Sequence, residues 1–338
     1  MSGSIGSWIH RSTPEESTMT KLSSLFLSAA VLLAAPAWLP AAHAAAPQVR
    51  TQAPGFYRVL LGDVEITALS DGTVTIPLDT LLTNTSAAHV RDMLAGHHLG
   101  TQVETSINAF LVNTGKQLVL IDTGAGASFG AHGGHLAESI RAAGYRPEDI
   151  DVVLLTHIHG DHSNGLTIAG RAVFPNAEVV VAKGDADAWL DPANRTKVRP
   201  ESVRIVDEAL AAFAPYRKTG RVRTFDRPGD VVPGIRAVPV PGHTPGHAVY
   251  ELTAGGQTIR FVGDTLHAKD VQMAEPQITI RFDEDPAAAR RQRETLFADA
   301  AARGVIVAAA HTPFPGLGHV ERSGSGYAWA PLNYSSLR

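Results

Sequence analysis

Between Thr156 and His162 the chain reads Thr-His-Ile-His-Gly-Asp-His, which places three imidazoles and one carboxylate within six residues. That density of nitrogen and oxygen donors points to a divalent metal such as zinc, and manganese, iron and cobalt accept the same donors. Residues two apart on an α-helix face opposite sides, so His157 and His159 belong on a loop, directly after the apolar run Val152-Val153-Leu154-Leu155. The bland alternative is a solvated turn that happens to be rich in histidine. Three further donors in matching settings weigh against it. His243 lies in Pro241-Gly242-His243-Thr244-Pro245-Gly246-His247, a tight turn after the extended run Ile235 to Val240. Asp264 ends the short apolar run Phe261-Val262-Gly263, and His311 follows the strand-like run Val305 to Ala310. A catalytic zinc needs about three protein ligands and keeps one position open. The seven side chains His157, His159, Asp161, His162, His243, Asp264 and His311 exceed that need. Two ions sharing a bridging group is the economical reading.

In order and separation these seven residues resemble the metallo-β-lactamase superfamily, over roughly residues 57 to 320. The resemblance implies an αββα sandwich of two mixed sheets flanked by helices, with the metals in a groove at one edge. It also implies that His157, His159 and His243 hold one ion, that Asp161, His162 and His311 hold the other, and that Asp264 bridges them together with a hydroxide. Asp161 and Asp264 then belong to the catalytic centre. Two cations lower the pKa of a shared water and polarise the bond to be attacked, so the expected reaction class is hydrolysis without a protein nucleophile. Asp71 and Asp122 sit at strand ends where the superfamily places supporting carboxylates. Asp122 is expected to orient a ligand imidazole, and His247 to brace the His243 loop.

Two departures narrow the class. The β-lactamases of the superfamily lack an aspartate bridge at the position of Asp264, and its flavin-linked di-iron members carry glutamate where this chain has His159, so antibiotic hydrolysis and redox chemistry are disfavoured. A closer resemblance is to methyl parathion hydrolase and the related aromatic lactonases. It rests on Leu61-Gly62-Asp63, Glu65 to Val74, Gly242 to His247, Ala310-His311 with Phe314-Pro315-Gly316, and Pro331 to Ser335. It implies a homodimer and places Phe129 and Trp189 in an aromatic pocket. His267, Leu81, Ile280 and Phe282 match the state of relatives that open dihydrocoumarin-type lactones rather than the organophosphate-cleaving pattern. The expected activity is therefore that of a lactonase or aryl esterase with weak organophosphate cleavage, His267 meeting the lactone or the departing phenolate. The alternatives are an organophosphorus triesterase of the methyl parathion hydrolase type and a non-catalytic periplasmic metal-binding protein.

Rigid elements must hold these groups. Tyr57 to Leu69, Ser106 to Val112 and Gln117 to Ile121 read as strands, followed by a helix near Leu136 to Ala143 that ends at Gly144. Strands follow near Arg221 to Phe225, Ile235 to Val240, Ala248 to Leu252 and Ile259 to Val262. Asp285-Pro286 is a helix start, with a stop at Gly304 and an inward face of Leu296, Phe297 and Ala300. Thr83 to Thr105 reads as an irregular excursion near the groove, and its His89, His97 and His98, like His132, His135 and His319, as surface residues. No linker separates the halves, so residues 45–338 are expected to form a single hydrolase domain.

The formal net charge of −4 gives no broad basic surface, which disfavours nucleic acid as a substrate or partner. A small-molecule ester, lactone or phosphotriester fits better. From Met19 the chain reads as a secretory leader with an apolar run from Leu22 to Leu39 and the small-x-small site Ala42-His43-Ala44. Residues 1–18 then form an upstream mis-start, and a periplasmic or secreted protein without stable membrane insertion is expected. The other reading of the run is a membrane anchor, although Pro36 and Pro40 interrupt it. The absence of cysteine removes disulfides and thiolate ligands.

Overall fold

Leu118–Ile121, Val152–Leu154 and most of Glu178–Ala182 are apolar at consecutive positions, the pattern of strands covered on both faces. They form the middle of a seven-stranded sheet in a computed structural model that describes residues 46–336. The expected leader over residues 1–44, with its start at Met19 and cleavage after Ala44, lies outside the described residues. The elements below all belong to the unit that begins at Thr51.

The first sheet runs in chain order through Phe56–Leu61, Val64–Pro77, Gln102–Asn113, Leu118–Ile121, Val152–Leu154, Glu178–Ala182 and Val222–Phe225. Its first pairings are antiparallel and its last three parallel. The second sheet also has seven strands, Gly229–Val232, Ile235–Pro239, Ala248–Ala254, Gln257–Phe261, Ile306–Ala308, Leu317–Ser323 and Gly326–Pro331. Its one parallel pairing joins Gln257–Phe261 to Ile306–Ala308, and the helix Pro286–Arg303 makes that crossover. Ile66, Phe110, Ile121 and Val180 of the first sheet meet Ile235, Tyr250, Phe261 and Ala308 of the second in the central core. Helices Leu136–Ala142 and Val203–Lys218 cover the outer face of the first sheet, and Pro286–Arg303 covers the second. Two mixed sheets between helical layers give the αββα arrangement. Among the described residues no helix is long and apolar enough to cross a membrane.

The crossover helix follows its sequence signals closely. The Asp285 carboxylate accepts the Ala288 N–H at 2.9 Å, and Gly304 closes the helix in the left-handed conformation at φ 64°. Elsewhere local pattern was weaker than context. The expected strand from Tyr57 to Leu69 is a hairpin that turns at Gly62-Asp63 and runs on to Pro77 past a bulge between Ser70 and Gly72. The excursion from Thr83 to Thr105 contains the helix Ala87–Gly96, capped by Ser86. Its only buried side chains, Val90 and Leu94, join Leu78, Leu82, Val271, Ile278 and Ile280 in a separate apolar cluster. Two anchors one turn apart leave little periodicity to read.

Candidate metal centre

The groups singled out by type gather at one edge of the sandwich because strand ends converge there. Asp122 follows the strand Leu118–Ile121, His157 follows Val152–Leu154, Asp264 follows Gln257–Phe261, and His311 follows Ile306–Ala308. His243 sits in the turn between Ile235–Pro239 and Ala248–Ala254, and His159 precedes the short helix Gly160–Ser163 that carries Asp161 and His162. A stiff sheet holds each donor, so little ordering is left for a ligand to impose.

Asp264 is the centre of this cluster, and its two oxygens face different partners. Oδ2 lies 3.1 Å from His243 Nε2 and 3.6 Å from His157 Nε2, while Oδ1 lies 3.0 Å from His162 Nε2 and 3.1 Å from His311 Nε2. His159 presents Nδ1, 3.0 Å from His243 Nε2. Asp161 Oδ2 is 3.4 Å from His311 Nε2 and 3.7 Å from His162 Nε2. The structure therefore brings all seven expected donors together, as one group of His157, His159, His243 and Asp264 and another of Asp161, His162 and His311, with donor atoms within 4.8 Å of one another in each. The Nε2 atoms of His157 and His162 and Oδ1 of Asp264 are buried without hydrogen-bond partners. Buried polar atoms are rarely left unpaired, and nitrogen and oxygen donors in this number suit a divalent ion.

The outward nitrogens of His157, His162, His243 and His311 are engaged, whereas Nε2 of His159 has no partner among the described residues. His162 Nδ1 donates to Asp122 at 2.9 Å, His243 Nδ1 to Asp283 at 2.9 Å and His311 Nδ1 to the Ser106 carbonyl at 2.9 Å. The Thr156 hydroxyl lies 3.0 Å from His157 Nδ1 and donates to Asp122. These contacts fix the tautomers so that Nε2 lone pairs point inward. Asp122, expected to orient a ligand imidazole, thus reaches His162 directly and His157 through the Thr156 hydroxyl.

Charge follows the same plan. Burial, reinforced by His243, pushes the His159 imidazole down to about 3, and burial also keeps His157 well below its usual range. Burial works against a charged His243, but Asp264 and Asp283 outweigh it and lift it to about 9. Asp264 is held well below the usual carboxylate range because His162 and His311 overcome the cost of its burial.

Three carboxylates fasten the loops. Asp185 accepts the N–H groups of Ile158 and Gly246 at 2.7 and 2.6 Å and so ties two ligand loops together. Asp71 accepts those of Ala125, Gly134 and Leu136 and organises the loop beyond Asp122 without facing the donor cluster. Asp283 holds His243. Sequence reasoning missed Asp185 and Asp283. Asp185 follows a strand end just as Asp122 does and could have been found by that signal, whereas nothing marks Asp283. His247 differs in its partner from the expectation: Nε2 accepts the Asp264 N–H at 3.0 Å, so it braces the Asp264 turn.

His267 is buried with Nε2 3.0 Å from Asp264 Oδ2, its ring stacked on His311 at 5.4 Å. It and His311 line a cavity of about 300 Å³ together with the apolar Leu78, Leu99, Val103 and Pro313 and the polar His97, Glu104, Thr105, Lys269 and Asp270. Of the other expected pocket residues, Phe282 is 40 % exposed with its ring 6.0 Å from His267. Trp189 is buried 6.4 Å from the His159 ring, and Phe129 is half-buried on a loop. Leu81 is half-buried against the cluster that encloses Ile280 completely. His89 pairs with Glu275 at 2.7 Å on the surface.

A model of the metallo-beta-lactamase superfamily matches residues 103–311. The crystal structure of a hydrolase of the beta lactamase superfamily, AbOPH, superposes with a TM-score of 0.81 at 40% identity, covering 85% of this chain and all of that one (100%). A probable metallo-hydrolase of Mycobacterium tuberculosis is 29% identical over 201 residues, 51% of this chain and 62% of its own length. An N-acyl homoserine lactonase of a Bacillus species is 23% identical over 167 residues, 44% of this chain and 58% of its own. The matched segments thus span less than two thirds of these curated relatives.

Proposed function

This chain belongs to the metallo-beta-lactamase superfamily and is a metal-dependent hydrolase, and on that premise we propose that it opens aromatic lactones or cleaves aryl esters of the dihydrocoumarin type. The superfamily is dinuclear-metal binding, and the histidine and aspartate cluster fits two ions. In this reading His157, His159 and His243 hold one ion, Asp161, His162 and His311 the other, and Asp264 is shared, its two oxygens turned to the two sets. When bound, two such cations supply an activated water near neutral pH and polarise the carbonyl.

The rest falls to the chain. Four outward hydrogen bonds hold the imidazoles of His157, His162, His243 and His311 in register, so these donors need little reorganisation during turnover. Leu78, Leu99, Val103 and Pro313 give the cavity an apolar side against which a flat ring can lie. The observation that carries the substrate class is His267, buried where the cavity meets Asp264 and His311. There an imidazole can meet a lactone oxygen or the phenolate that leaves as the acyl carbon–oxygen bond breaks, whereas a dialkyl phosphotriester would need the apolar room that the ring takes up. The lactonase named among the sequence relatives supports the ester side of this choice.

Replacing His267 with leucine tests it. The expected result is a kcat/KM ratio that moves from dihydrocoumarin towards methyl parathion. An equal fall for both substrates would remove the specificity argument.

A further inference from the structure

We infer that Arg293 is a positioning residue for the metal centre, acting on one of the two ions through Asp283 and His243; the inference rests on the ligand assignment above. Arg293 comes from the helix Pro286–Arg303, which carries no proposed ligand, yet its side chain is buried completely. Burying a guanidinium is costly unless its donors and its charge are matched. Its donors go to backbone carbonyls: Nε to Thr265 at 2.7 Å, and Nη1 to Pro276 at 3.0 Å and Ile278 at 2.7 Å. Thr265 is the residue after Asp264, so the first of these bonds pins the turn that presents the shared carboxylate.

Its charge is matched by Asp283, whose Oδ2 lies 3.9 Å from Nη2. That is a charge contact and not a hydrogen bond, and Nη2 has no other partner. Asp283 is itself buried; its Oδ1 accepts from His243 Nδ1 at 2.9 Å, and its Oδ2 accepts the Ile280 N–H at 3.2 Å. One cation therefore steadies both the Asp264 turn and the carboxylate that fixes the His243 ring. The ligands on the other side are steadied differently, His162 by Asp122 and His311 by the Ser106 carbonyl, and no contact joins Arg293 to either support among the described residues. Loss of Arg293 should therefore disturb both ions through the shared Asp264 turn and one of them further through His243, so the two should respond unequally.

The test is metal release from the zinc-loaded full chain into excess chelator, with stoichiometry by elemental analysis, for wild type, Arg293→Met, Arg293→Lys and Asp283→Asn. Wild type should carry two ions. In Asp283→Asn one ion should leave about ten-fold faster while the other keeps its rate within roughly two-fold, and in Arg293→Met the same ion should be accelerated clearly more than the other. The double variant should add little to the preferential loss of that ion, because towards His243 the two residues act in series. Arg293→Lys, which keeps the charge, should fall between wild type and Arg293→Met. Equal acceleration of both ions, or two unchanged rates, overturns the inference; a residue that merely supported the fold would give the former. If Arg293→Met does not accumulate as folded protein, Arg293→Lys decides by the same criterion. Wild type that fails to hold two ions would overturn the ligand assignment instead.

Discussion

Asp264 is surrounded by five imidazoles, and proton accounting at that carboxylate governs how the site takes up metal. His157 and His159 are already neutral near pH 7, since burial leads their shifts downward. His243 is not: Asp264 and Asp283 outweigh burial and raise it from 6.5 to about 9, so in the metal-free chain it carries a proton that an incoming ion must displace. Apparent metal affinity should therefore climb as pH rises from neutral through about 9. The sign is opposite for the metal-free fold, whose stability from this group is complete below pH 6.5 and lost as pH rises through about 9. Calorimetric titration with zinc in two buffers of different ionisation enthalpy should detect net proton release at pH 7; none would contradict the assignment of His243. Asp122 should matter as much as a ligand, because it serves His162 directly and His157 through Thr156. Asp122→Ala should weaken metal binding about 10- to 100-fold in a chelator competition. All seven proposed ligands were legible in the sequence because each lies in a short turn beside an apolar run. Asp283 and the Ser106 carbonyl were not, since their partners are 40 and 205 residues away and no local pattern marks such pairs.

The elements that carry these residues differ in how plainly they announce themselves. The helix Pro286–Arg303 begins with a side-chain cap and ends on a left-handed glycine, so its bounds follow from residue type alone. Asp285→Ala should cost about 0.5–2 kcal/mol by thermal denaturation with little change in metal content, because the cap holds only the Ala288 N–H. Gly242 couples that helix to the site. At φ 150° it sits where side chains are strained, and a Cβ there would come 2.3 Å from the Ala289 nitrogen. Gly242→Ala must displace either the helix start or the His243 turn, and should lower both melting temperature and metal retention by more than the cap variant does. A melting temperature equal to wild type would show that the turn gives way freely. The helix Ala87–Gly96 and the strand Glu178–Ala182 escaped the sequence reading for opposite reasons. The first has too few buried positions to show a period, and the second, buried on nearly every residue, shows none.

Across the whole molecule, the centre joins the two sheets. His157, His159, Asp161 and His162 come from loops of the first sheet, His243, Asp264 and His311 from the second, and Ser106 and Asn108 of the first sheet grip the loop around His311. An ion that binds only this assembled state must stabilise all of it. At free metal 100 times the dissociation constant the gain is about 2.7 kcal/mol per site. Chelation should then lower the melting temperature by roughly 5 to 10 °C per ion as a single transition; a transition that ignores metal would mean that the loops are held without it. The αββα layering was legible from strand and helix order together with the resemblance, whereas the cavity beside His267 and His311 was not, because Leu78, Leu99, Val103 and Pro313 meet only in the folded chain. The most direct test of the account is steady-state hydrolysis of dihydrocoumarin and methyl parathion by the same purified protein, before chelation, after it and after zinc is restored. The expected kcat/KM favours the lactone strongly, disappears with the metal and returns with it. A preference for the phosphotriester, or lactone opening that survives complete metal removal, would contradict it.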